Sequence, residues 1–108
     1  MAQNFRRYTS NDVGTSAATL FTADSYDTIV GISLANVTAS GINVSVYIND
    51  GANDIYLVKD APIPQGSQLQ VLDGGAKYVV QTGDALKVVS DTASSVDVWV
   101  STVDAIST

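Results

Sequence analysis

Hydrophobic residues recur at every second position through most of the chain. In Ile42-Asn43-Val44-Ser45-Val46-Tyr47-Ile48-Asn49 the apolar residues Ile42, Val44, Val46 and Ile48 share one parity. Successive side chains of an extended strand point to opposite faces, so the segment reads as a strand buried on one side. The segment from Ser95 to Thr102 repeats the pattern, with Val96, Val98 and Val100 inward and Asp97, Trp99 and Ser101 outward. Ahead of both, Thr28 to Ala35 reads as a strand with Val30, Ile32 and Leu34 inward. Its outward residues are small, as where something lies close over that face. Shorter alternating runs are Ala18–Thr22, Asp54–Lys59, Gln68–Leu72, Lys77–Gln81 and Ala85–Ser90. Turn residues separate them: Asp24-Ser25, Ala39-Ser40-Gly41, Asn49-Asp50-Gly51, Pro62-Ile63-Pro64-Gln65-Gly66, Asp73-Gly74-Gly75 and Thr82-Gly83-Asp84.

Regularly punctuated short strands with no helical stretch predict an all-β fold. The expected architecture is an antiparallel β-sandwich of about eight strands, jelly-roll-like or immunoglobulin-like, with spacing alone leaving the topology open. Residues 1–14 depart from the pattern. They are polar, hold both arginines, and form either an N-terminal arm or a first edge strand; residues 15–108 form the sandwich domain.

Composition supports one ordinary domain, with 108 residues and a formal net charge of -6. All 11 acidic residues are Asp and none is Glu, a bias toward turns and away from helix. Only five basic residues oppose them, so nucleic acid is not an expected partner. No apolar run has bilayer-spanning length and the start lacks signal-peptide order, so a soluble chain without membrane contact or export address is expected.

Candidate chemistry narrows quickly. His, Cys and Glu are all absent, which removes the common general acids, bases and thiolate nucleophiles, so no catalytic residue and no cofactor are expected. Asn49-Asp50-Gly51-Ala52-Asn53-Asp54 strings oxygen ligands across a glycine as calcium loops do. It lacks the closing bidentate Glu, and Asn-Asp-Gly also suits a hairpin turn, so a turn is expected here and no metal. The sequons Asn36-Val37-Thr38 and Asn43-Val44-Ser45 are expected to be chance in a chain rich in Ser, Thr and Asn.

Attachment is the better-supported theme. Tyr47 and Trp99 fall on the outward parity of strongly alternating strands, where large aromatics mark contacts unless the chain covers them itself. Phe5-Arg6-Arg7-Tyr8 offers an aromatic and a guanidinium on each side of an extended segment, suited to gripping carboxylates of an acidic protein surface or of a second copy. The candidate partner-binding residues are therefore Phe5, Arg6, Arg7, Tyr8, Tyr47 and Trp99.

Four stretches carry a resemblance that spans nearly the whole chain. The opening from Phe5 to Ser16, the Thr28 to Asn36 strand, the Ala61-Pro62-Ile63-Pro64-Gln65-Gly66-Ser67 crossing and the Gly83 to Ser90 strand resemble small all-β virion structural proteins of tailed bacteriophages, of the marine and cyanophage type. The resemblance implies a head decoration or cement protein, made in the host cytoplasm and housed in the virion. The implied partners are the major capsid protein or other virion proteins, with a homo-oligomer, a trimer being one option. Two alternatives stand beside it: a neck, tail or baseplate accessory protein, and a carbohydrate-binding module contacting the host surface.

Overall fold

A computed structural model describes residues 4–23, 27–71 and 77–104. They form nine strands: β1 (Asn4–Val13), β2 (Ala18–Thr22), β3 (Asp27–Asn36), β4 (Ile42–Asn49), β5 (Asp54–Ile63), β6 (Gln68–Gln70), β7 (Tyr78–Val80), β8 (Ala85–Ser90) and β9 (Val96–Asp104). The turns expected at Asp24-Ser25 and Asp73-Gly74-Gly75, and Leu72 at the end of an expected strand, lie outside the described residues.

Two antiparallel sheets pack face to face, as the alternation predicts. The first has the order β1-β9-β3, with β6 and β7 both pairing along the far side of β3; the second has the order β2-β8-β4-β5. The pairings β1 with β9, β2 with β8, β3 with β6 and β7, and β4 with β5 are nested one inside the next. Rolled over one core, that nesting is the strand order of a jelly roll and not that of an immunoglobulin domain, which resolves the topology that spacing left open.

The core is filled by the inward parity of both sheets. Ile29, Ile32 and Leu34 of β3 and Val96, Val98 and Val100 of β9 meet Val44 and Val46 of β4 and Leu86 and Val88 of β8. Branched aliphatic side chains suit a half-buried pleated surface, and their close packing supplies most of the folding drive.

Bulges break the simple alternation. Ile29 pairs with Thr102 and Gly31 with Ser101, so Val30 is an extra residue and is exposed, while Ile29 takes the buried place expected for Val30. Strand β5 bulges between Val58 and Ala61, where Asp60 adopts a φ of 53° and its N–H donates to Ser45 Oγ at 3.0 Å. This strand also runs on through Pro62 to Ile63, into residues expected to be turn. It is an edge strand, where a residue without an N–H can be accommodated.

The N-terminal segment is not an arm lying outside the sandwich. Asn4 to Ser10 pair residue by residue with β9 as an integral edge strand, and a bulge precedes Val13, whose side chain is buried.

Candidate functional site

The register of β1 decides what each residue of Phe5-Arg6-Arg7-Tyr8 faces. Tyr8 lies opposite Val100, whose side chain is buried, and so points toward the core. Its ring stacks on Phe21 of β2 with 4.5 Å between centroids and 12° between planes, joining the two sheets along their common margin. Tyr8 is thus a fastening of the fold. Arg6 shares its parity, and its carbonyl accepts from Thr102 Oγ1 at 3.4 Å. Phe5 and Arg7 have the opposite parity and stand on the outer face of the first sheet.

Tyr47 and Trp99, both expected to face outward, belong to different sheets. Outward residues of two packed sheets point in opposite directions, so the two rings cannot touch one partner surface together. Tyr47 is half-buried: its ring meets that of Tyr56 at 5.0 Å, and Lys59 stands over Tyr56 at 4.8 Å. Burial, and the nearby charge of Asp54, raise the Tyr47 hydroxyl above its ordinary pKa. Trp99 is different. It remains 51% exposed, with the Arg7 guanidinium 5.4 Å from the ring centroid.

The outer face of the first sheet therefore gathers Phe5, Arg7 and Trp99, and it divides into two ends. At one end Phe5, Val103, Thr28 and Val79 are in register across β1, β9, β3 and β7. Phe5 is 78% exposed and Val79 is 65% exposed, and the bulged Val30 adds further apolar surface nearby. Alternation along single strands could not reveal this row, because it depends on which strands are neighbours.

At the other end the face is hollowed. An open trough of about 450 Å³ is lined by Thr9 and Asn11 of β1, Ser33 and Ala35 of β3, and Asp97 and Trp99 of β9. Ser33 lies opposite Trp99 and Ala35 opposite Asp97, so the small outward residues noted in β3 form its floor. Asp97 accepts the N–H of Asp12 at 3.1 Å, where Asp12 turns the β1 bulge with a φ of 55°. Ser33 Oγ donates to Gln68 Oε1 at 3.0 Å.

The oxygen-rich Asn49 to Asp54 segment is the hairpin between β4 and β5. Gly51, at a φ of 97°, donates its N–H to Asn49 Oδ1, while Ala52 and Asn53 donate theirs to Asp50 Oδ1. The N–H of Asn53, and then that of Ala52, hold the Asp50 carboxyl below the usual carboxylate range. The oxygens serve the turn itself. Asn36 of the first sequon is also used internally: both of its amide hydrogens are donated, to Ser40 O and Ile63 O, and its Oδ1 accepts the N–H and hydroxyl of Thr38.

No protein-family model and no curated protein sequence matches the chain.

Proposed function

We propose that this protein is a non-enzymatic structural component of a virion, a capsid decoration protein that docks on the shell through the Phe5 end of the first sheet's outer face. The observation that carries the reading is the in-register row from Phe5 through Val103 to Val79, with Arg7 beside it. Isolated apolar residues on a surface need no explanation, but Phe5, Val103 and Val79 aligned across one sheet, over the buried Thr28, make the kind of patch that marks a protein contact. Arg7 adds a charge-assisted grip on carboxylates of an acidic shell.

The resemblance of the opening, the Ala61–Ser67 crossing and the Gly83–Ser90 strand to phage virion proteins supplies the partner class. A jelly roll hosts capsid and lectin domains alike, so the fold alone does not choose between them. Net acidity suits a protein held soluble at high copy number before assembly, and many weak contacts across a lattice reinforce one another. A homo-oligomer, with the major capsid protein as the outer partner, fits this role.

The test is cosedimentation of the purified protein with capsid shells that lack it. Phe5→Asp combined with Arg7→Glu is expected to abolish attachment while leaving the circular dichroism spectrum unchanged. Undiminished attachment of that variant would overturn the reading. Copy number on the particle separates stations, since hundreds of copies fit a head and not a neck or baseplate.

A further inference from the structure

The trough beside Trp99 has a composition distinct from the apolar row, and its chemistry points to a ligand of another kind. Its size falls in the range of small-ligand clefts, about 300–1,000 Å³. The indole forms one wall. Arg7 lies opposite Ser101, two residues along the ladder from the Thr9–Trp99 pair, whereas the trough opens on the Asp97 side. The guanidinium thus braces the indole from outside the trough and leaves it standing beside a floor of small residues.

Charge narrows the ligand class. Asp97 is the charged residue of the lining, and its carboxylate disfavours phosphate, sulfate or carboxylate ligands. A cation would gain from Asp97 but would meet Arg7 close behind the indole. What remains favoured is a neutral molecule with an apolar flat face for the indole and many hydroxyls for its rim. Thr9 and Ser33 supply hydroxyls, Asn11 supplies an amide that both donates and accepts, and the Asp97 carboxylate accepts strongly. A pyranose ring has that combination, with axial C–H groups on one face and hydroxyls around its edge.

We propose that the trough is a binding site for a neutral saccharide, with one pyranose ring stacked on Trp99 and its hydroxyls held by Asp97, Asn11, Thr9 and Ser33. This site does not depend on attachment through the Phe5 end and would operate on the face left open beside it.

Trp99 is the single tryptophan in the sequence, so its fluorescence reports on the trough alone. The intact protein is titrated with neutral hexaoses of glucose, mannose, galactose and N-acetylglucosamine, with a sulfated dextran oligomer, and with tetramethylammonium. A saturable spectral shift with at least one neutral hexaose, and none with the charged probes, is expected. By calorimetry, Trp99→Ala and the floor-raising Ala35→Leu should each weaken that binding about tenfold or more, with unchanged circular dichroism. Phe5→Asp should leave it unchanged. The proposal is overturned if no neutral hexaose binds at up to about 10 mM, if a charged probe binds more tightly, or if binding survives both trough variants. Loss of binding on Phe5→Asp alone would place the sugar outside the trough and overturn it equally.

Discussion

Asn36 is 6% exposed, and every hydrogen-bonding position of its side-chain amide is occupied. It ties the turn after β3 to the far end of β5, so its replacement leaves the buried Ile63 carbonyl without this donor and loosens the Thr38–Ser40 turn. Asn36→Ala is expected to lower unfolding free energy by about 2–3 kcal/mol, measured as a shift in urea midpoint at constant slope. Asp50 and Asp91 act at turns in a pH-dependent way. The Asp91 carboxyl, like that of Asp50, is held below the usual range, first by the N–H of Asn43 and then by the hydroxyl of Thr92. A carboxylate with a depressed folded-state pKa contributes stability above its unfolded value of about 3.9, and that contribution is lost as pH falls through the folded value. The stability gap between wild type and an Asp50→Ala, Asp91→Ala double variant should therefore be full at pH 6 and close below about pH 4. Thermal melts across that range would show it; a gap that widens in acid would contradict the assignment.

At the scale of elements, the alternation of Ile42–Asn49, Ala85–Ser90 and Val96–Val100 was enough to place strands and their buried faces, because one residue's step reverses every side chain. It failed where an extra residue entered. The bulge at Val30 exchanged the places of Ile29 and Val30, and the bulge at Asp60 lies in a strand that continues into proline. The second has no local sequence signal, since Asp60 occupies a positive φ that glycine would have announced, whereas Gly31 beside Val30 signals either a bulge or the close approach expected over that face. The N-terminal segment was ambiguous for a related reason: whether Tyr8 faces in or out depends on a partner strand some 90 residues away, the register being Tyr8 with Val100. Because Tyr8 stacks on Phe21, Tyr8→Ala should cost about 2 kcal/mol. Deleting residues 1–9 would remove most of β1 and unsettle the whole fold, so point variants on its outer face are the sound test of docking. Equal stability of wild type and Tyr8→Ala in chemical denaturation would show that the stack contributes nothing.

For the whole molecule, the jelly-roll order determines which outward residues become neighbours. It separates Tyr47 from Trp99 on opposite faces, and it brings Phe5, Val103 and Val79 into one row that lies far apart in the chain. That row and the trough were therefore beyond the reach of strand-by-strand reading, although Phe5, Arg7 and Trp99 could each be singled out as outward. The two ends of the same face carry different chemistry, apolar at one, concave and polar around an indole at the other. A particle image at side-chain resolution distinguishes docking through this end from any other. The Phe5–Val79 end of the first sheet is expected to be buried against a shell protein, with Arg7 near a carboxylate of that neighbour and the Trp99 trough open to solvent. Burial of the second sheet's outer face around Tyr47 and Tyr56, with Phe5 left in solvent, would contradict it.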